Sequence, residues 1–540
     1  MIVVCHEPGC EKLITTPEDW PPASANLTNS KPYAHRVARM QIDPQSVVSD
    51  VPSLRVRSAH DASVRGDGDY VLYWMIAFRR TEWNFGLQRA VDWARQLNKP
   101  LIVLEALRCD YRWASDRLHH FIIQGMADNA ARLATTPVTY FPYVERERRG
   151  GRGLLAQLAE RASVVVSDDY PSFFIPAMVR AAARAVPVCF ELIDSNGLLP
   201  MRAADKVFAR AYDFRRFLQK NLRPHLSEVP HADPLEGLEL PRLDELPAEI
   251  LERWPAADVA AMASDPGYLA ELPIDHAVPV AALAGGAVAG QLRLGEFVRE
   301  RLDRYGTERS EPTRDSASGL SPYLHFGHVS VHQVFAAAMA ADEWNVDMTA
   351  EKANGSSKGW WGASESVEAF VDELVTWREL GFNMCWQVDN YDKYESLPDW
   401  AQATLEEHTA DPREYVYTLE EFEAAATHDE LWNAAQRQLL REGRIHNYLR
   451  MLWGKKILEW SETPQEALEV MIELNNKYAL DGRDPNSYSG IFWVLGRYDR
   501  AWGPERPIFG KIRYMSSDNT ARKYRIDAYV DKYGPETVAE

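Results

Sequence analysis

Residues 70–107 read "YVLYWMIAFRRTEWNFGLQRAVDWARQLNKPLIVLEAL". Two short apolar runs, "YVLYWMIA" and "PLIVLEAL", lie on either side of "FGLQRAVDWARQLN", a stretch with helical spacing. A strand, a helix and a second strand in that order set the two strands side by side and parallel. The pattern continues through "LHHFIIQGMADNAARLA", "PVTYFPY", "SVVVSDD" and "PVCFELI". It predicts a parallel sheet flanked by helices over residues 66–200. Neither G-x-G-x-x-G nor G-x-x-x-x-G-K-[ST] follows any of these strands, which disfavours a dinucleotide dehydrogenase or a P-loop enzyme. A ligand of this domain is expected at the carboxyl ends of the strands.

Outward from this block the composition changes. Residues 1–65 are rich in Pro, Ser and Asp and show little periodicity, so they read as a loosely ordered extension. Residues 201–295 carry Pro-spaced acidic segments and an Ala/Gly run, which suit a long linker. From 296 to 540 the patterns are helical ("SVHQVFAAAMAA", "SVEAFVDELVTWREL", "PQEALEVMIELNNKYAL"), so this domain is predicted all-α.

With 540 residues and 46% hydrophobic content, the chain can bury sizeable cores in two or three domains. It holds no run of 18 or more apolar residues and its start lacks the marks of a signal peptide, so a cytoplasmic protein with no membrane partner is expected. Cys5, Cys10, Cys109, Cys189 and Cys385 are too few and scattered for a disulfide framework. Cys5, His6 and Cys10 have no second ligand pair at zinc-like spacing and read as incidental, so no metal is expected. The net charge of −19 argues against a protein that coats nucleic acid by bulk electrostatics. It leaves room for a local basic face, because residues 496–525 hold eight basic side chains against three acidic ones, a net of +5.

The helical domain carries the chemistry. "DGRDPNSYSGIFWVLGRYDRAW", residues 481–502, sets Tyr488, Phe492 and Trp493 beside arginines, a mixture suited to a ligand that is flat and aromatic on one side and anionic on the other. In "SASGLSPYLHFG", Ser321 is placed to cap a helix with Pro322 at its first position, and such an end can hold a phosphate. Glu373 and Trp377 are four apart, which puts a carboxylate and an indole on one helix face. Trp453 and Trp460 are seven apart, two turns and about 10.5 Å along a helix. With Trp432 they form either a hydrophobic seam or an oxidisable relay.

Four ordered segments resemble the class II cyclobutane pyrimidine dimer photolyases: "SGLSPYLHFG", "DELVTWRELGFN", "LWNAAQRQLLREGRIHNYLRMLWGKKILEW" and "LNNKYALDGRDPNSYSGIFWVLGRYDRAWGPERPIFGKIRYM". The resemblance runs from about 66 to 525 and is strongest after 318. It implies an α/β domain, a linker and a helical domain that holds FAD. The implied reaction is light-driven transfer of one electron from reduced FAD to a dimer flipped out of double-stranded DNA.

By the same resemblance, Tyr305, Ser318, Leu320, Ser321 and Arg378 contact FAD around its phosphates, and Asn447 and Gly482 belong to the same cofactor site. Arg450 and Asp481 form a pair at the flavin, where donors and positive charge favour its anionic form. Asn475 stands near the flavin nitrogen that gains and loses a proton. Trp377, Trp493 and Met451 wall the dimer, and Glu373 bonds its carbonyls, which requires a carboxyl kept protonated by burial. Tyr323 is a further candidate at the DNA, Arg500 begins the face for phosphates, and Arg513 fills the gap left by the dimer. Trp432, Trp453 and Trp460 match the relay that reduces the flavin, in an order the sequence does not give.

Two departures stand out. Asn447 follows His446 where the family often has glycine, and "FRRTEWNFGL" differs from the usual segment of the α/β domain, leaving deazaflavin, folate or no antenna chromophore open. The strongest alternative is a cryptochrome-like flavin photoreceptor without repair; its usual long C-terminal extension is absent, the chain ending about 15 residues after the last matched block. A (6-4) photolyase would need a histidine dyad that has no clear place in this sequence, and a nucleic-acid-binding protein without light chemistry would be colourless. A monomer is expected.

Overall fold

The computed structural model describes residues 47–535; Cys5, His6 and Cys10 lie outside the described residues. Six strands form one sheet: β1 (Val56–Ser58), β2 (Tyr70–Met75), β3 (Leu101–Leu107), β4 (Thr139–Val144), β5 (Ala162–Asp168) and β6 (Cys189–Ile193). Their order is β1-β6-β5-β2-β3-β4, parallel throughout except β1, which runs antiparallel on β6. Residues pointing to one face, Leu72, Ile102, Leu104 and Val165, enter one core; Val71, Tyr73, Val103 and Val166 enter another. Both faces are covered, which is why these strands read as unbroken apolar runs instead of alternating ones.

The sheet begins earlier than residue 66. Ser58 pairs with Glu191 and Val56 with Ile193, and Arg57 reaches across to Asp169 at 2.5 Å. Three residues are too short a run to show a period, so the last part of the stretch read as a loose extension belongs to the sheet. The linker holds a helix, Ala211–Asn221, that works for the helical domain: its Arg215 clamps Asp372 through two bonds of 2.7 and 2.8 Å. The Ala287–Glu300 helix runs across the 295/296 boundary.

In the helical domain, Glu430–Glu442 and Asn447–Trp460 are separate helices, divided at Gly443, whose φ of +69° suits a residue without Cβ. The segment read as one helix around "VDELVTW" is interrupted. Asp372–Trp377 is a π-helical turn between the α-helices Glu365–Val371 and Arg378–Gln387, with the Arg378 N–H donating to the Glu373 carbonyl. Wide turns of this kind are rare and concentrate at functional sites. No described helix is long and apolar enough to cross a membrane.

Candidate active site

The site assembles from chain segments that are far apart in sequence. Arg450, in the first turn of the Asn447–Trp460 helix, donates to Asp481 at 2.9 Å, and the Ser321 hydroxyl bonds to the same carboxylate. Burial pushes the Asp481 carboxyl up, but the Arg450 charge and these hydrogen bonds outweigh it, and the net direction is down. Asp481 is therefore an anion at neutral pH. Ser321 is thus not the cap expected of it: the short helix Ser321–His325 has Leu320 at its N-cap, and the hydroxyl serves Asp481 instead. The Arg450 Nε is buried and meets no acceptor among the described residues. A buried donor left in that state costs about 1–3 kcal/mol, so the group is suited to a ligand acceptor.

Around this pair stand the other predicted cofactor residues. Leu320 is buried, Ser318 is half-buried with its carbonyl held by Arg293 at 2.7 Å, and Asn447 is exposed at the start of its helix. Asn475 is buried and its amide donates to the Ser487 hydroxyl at 2.8 Å. A Cβ at Gly482 would come within 2.6 Å of the Asn475 carbonyl, so that close approach requires glycine. Arg378 turns toward the α/β domain: it is buried, donates to the Asn196 carbonyl and lies 4.4 Å over the Phe382 ring. The structure gives it the role of an interdomain contact.

Tyr305 and Arg309 are one helical turn apart, and Arg309 forms an ion pair with Glu373 while packing 5.7 Å from the Tyr305 ring. Arg309 was not legible as a site residue. Its i,i+4 spacing from Tyr305 is the only local signal, and its partner is 64 residues away. Burial raises the Glu373 carboxyl above its usual value against the opposing pull of Arg309. In the structure Glu373 is half-buried and accepts from Arg309, a partner the sequence did not show, while burial still moves its carboxyl in the expected direction.

Trp377, Met451 and Trp493 are each half-buried, leaving apolar surface open to a ligand. Tyr488 and Phe492, by contrast, are core residues at 3% and 0% exposure, so only Trp493 of the three aromatics can face a partner. Tyr323 is a correction. It is 2% exposed, its hydroxyl donates to the Ala284 carbonyl at 2.8 Å, and its ring packs on Phe121, so it belongs to the core and not to a DNA surface.

Beyond Trp493 the basic segment folds over a second indole. Arg500 and Arg513 lie 4.4 and 4.2 Å over the Trp502 ring, and Arg513 also bonds Asp499 at 2.8 Å. Arg500 is exposed, as are Arg506, Arg522, Lys523 and Arg525; Arg497 is buried and does not contribute to the face.

The three tryptophans expected to form a relay are buried at 1–3% exposure and touch in series. Trp432 stacks on Trp453 with ring centres 6.5 Å apart and planes 3° from parallel, and meets Trp460 edge-on at 6.0 Å. The middle member is thus Trp432, although it comes first in the chain. Its indole N–H donates to the Trp453 carbonyl, and that of Trp453 to Gln436. Trp453 is one turn from Arg450; at the other end Trp460 meets Tyr417 and His428, which lead to the exposed Tyr415.

A separate cavity of about 780 Å³ opens at the carboxyl ends of the strands. Trp74, Tyr111, Phe173 and Phe174 supply aromatic walls, and His325, Phe326 and Arg483 of the helical domain complete it. Asp168, at the end of β5, shapes its floor by accepting the N–H groups of Ile76, Ala77 and Phe78 at 2.9, 2.7 and 3.0 Å.

No protein-family model matches the chain. It is 35% identical over 479 residues to a deoxyribodipyrimidine photo-lyase of Methanothermobacter thermautotrophicus, covering 88% of this chain and 97% of that one. The corresponding protein of Oryza sativa is 36% identical over 493 residues, covering 88% and 89%, and that of Potorous tridactylus 32% over 517 residues, covering 93% and 88%. Among solved structures, a class III photolyase of Agrobacterium tumefaciens superposes with a TM-score of 0.61 at 16% identity, covering 86% of each chain. A cryptochrome of Synechocystis superposes with 0.63 at 14%, covering 86% and 88%. At those identities the two structures speak for the fold alone.

Proposed function

Because the chain belongs to the deoxyribodipyrimidine photolyases, enzymes of DNA repair, we propose that it is a class II member that opens cyclobutane pyrimidine dimers in double-stranded DNA under blue light. The observation that carries this reading is the Arg450–Asp481 pair with Ser321 on its carboxylate and an unmet buried donor on its guanidinium. That set fits FAD: Arg450 offers a charge-assisted bond to an electron-rich ring, and Tyr305, Ser318, Leu320, Ser321, Asn447, Asn475, Asp481 and Gly482 would line its binding site. Bound there in reduced form, FAD would supply light-driven one-electron chemistry to a dimer in the neighbouring pocket.

The remaining work is done by side chains of this chain. Trp377, Met451 and Trp493 give flat apolar surface to an extruded dimer, and Glu373, held by Arg309, presents carboxylate oxygens to its polar edge. The exposed arginines after Gly496 meet DNA phosphates, and Arg513 occupies the space vacated in the duplex. The cavity at the strand ends is large and aromatic enough for an antenna chromophore of deazaflavin or folate size.

The deciding experiment is light-dependent restoration of a duplex carrying one thymine dimer by the purified, coloured, reduced protein. A coloured protein that leaves the dimer intact would mark a photoreceptor instead. A further expectation concerns affinity. Arg500 makes no ion pair among the described residues and is exposed, so Arg500→Ala should shallow the slope of log affinity against log salt by about one phosphate contact. An unchanged slope would place the DNA elsewhere.

A further inference from the structure

Two lysines are buried among the described residues, and they differ in kind. Lys456 pairs with Glu459 at 2.7 Å, whereas Lys455 is 0% exposed and has no carboxylate within ion-pair distance. A fully buried lysine without a counter-ion is rare, because its charge loses water and gains no partner. The Lys455 ammonium instead donates to the carbonyl of Val494, the last residue of the Pro485–Val494 helix, and stands 5.1 Å from the centre of the Trp493 ring. Arg513 lies 5.5 Å from the same ring. Trp493, the half-exposed wall of the lesion pocket, is therefore in contact with a buried cation as well as with the arginine of the DNA face.

We propose that Lys455 is a positioning residue for the damaged base: its ammonium fixes Trp493 through the end of that helix and places a positive charge beside the pocket that receives the dimer. This rests on the assignment of Trp493 to the lesion pocket. Bond and ring contact are the kind that hold an indole in one orientation, since a cation prefers the ring face and a helix C-terminus prefers a cation. The charge is itself adjustable. Burial, the main cause, brings the Lys455 ammonium from the ordinary lysine value of 10.5 down to about 7; Asp499 raises it and Arg513 lowers it, and these are the charged groups that act on it.

Burial of this ammonium ties stability to pH. The folded-state value lies below the unfolded one, so between about 7 and 10.5 the unfolded chain binds the proton more tightly, and stability rises with pH over that window. Below it, the protonated lysine is a standing cost to the fold. A group kept at such a cost near a binding pocket has the character of a functional residue.

The test uses the full chain loaded with FAD, reduced with dithionite, and a duplex with one thymine dimer. Lys455→Met should keep the melting temperature at pH 6 at or above that of the parent, yet lower dimer affinity and repair per flash about fivefold there, the size of one cation–π contact. At pH 9 the parent should fall to the level of Lys455→Met, while Lys455→Arg, which stays charged, should hold its pH 6 value. If Lys455→Met does not fold, a loss in the parent between pH 6 and pH 9 that is absent in Lys455→Arg supports the inference, and a parent that loses nothing overturns it. Equal affinity and yield in the parent and Lys455→Met at both pH values would likewise overturn the inference while leaving the repair assignment intact. A parent that repairs nothing would instead overturn the functional reading on which it rests.

Discussion

Trp432→Phe is expected to slow light-driven reduction of the oxidised enzyme at least about a hundredfold, since each 1.4 kcal/mol added to a barrier costs about tenfold in rate and a benzene ring is far harder to oxidise than an indole. The geometry makes Trp432 the decisive position. It is the one indole in contact with both others, so its loss divides the series, whereas loss of Trp460 only shortens it. Folding should survive. The smaller ring and the lost bond to the Trp453 carbonyl cost about 1–3 kcal/mol, within the stability of a large domain. Protein reduced beforehand with dithionite should repair dimers at close to the parent rate if the three indoles serve reduction and not repair. Trp453→Phe should behave alike. Parent-like photoreduction in both variants would reduce the three indoles to packing.

Glu373→Ala should lower repair by at least about tenfold, the loss expected when a hydrogen-bonding group at the reacting pocket is removed, with nearly full retention of FAD. The structure adds a control. Arg309, left without its partner, is still about one-third exposed and can be hydrated, so the fold should lose little. Glu373→Gln separates two roles: it keeps a donor and an acceptor but removes the charge that holds Arg309. Repair in Glu373→Gln well above that in Glu373→Ala would assign the effect to hydrogen bonding at the dimer. Equal loss of flavin and repair in Glu373→Ala would make Glu373 a structural anchor.

How much of this was legible depends on how local each signal is. Strands β2 to β6 were readable because both faces of a covered parallel sheet demand apolar residues, and that demand writes itself into consecutive positions such as Val164, Val165 and Val166. The Arg450–Asp481 pair was legible only through resemblance, since the partners are 31 residues apart. Tyr323 was misplaced because nothing in "SPYLHFG" tells which side of a five-residue helix meets Phe121. The wide turn at Asp372–Trp377 was missed for a related reason: its residues suit an α-helix, and the partner of its first residue, Arg215, lies 157 residues away in the chain. Arg309 and Lys455 owe their roles to partners fixed only by the fold.

The short strand β1 bears on how the protein can be handled. A chain trimmed to start at residue 66, where the sequence pattern alone puts the domain boundary, would uncover the outer backbone edge of β6 and strip buried Asp169 of Arg57. An open sheet edge is a template on which a second copy can add a strand. The shortened protein should then self-associate in a concentration-dependent way while the proposed flavin site, whose residues all come later in the chain, stays intact. Poor solubility in such a preparation would report a missing hem on the sheet, not a fault in the repair chemistry.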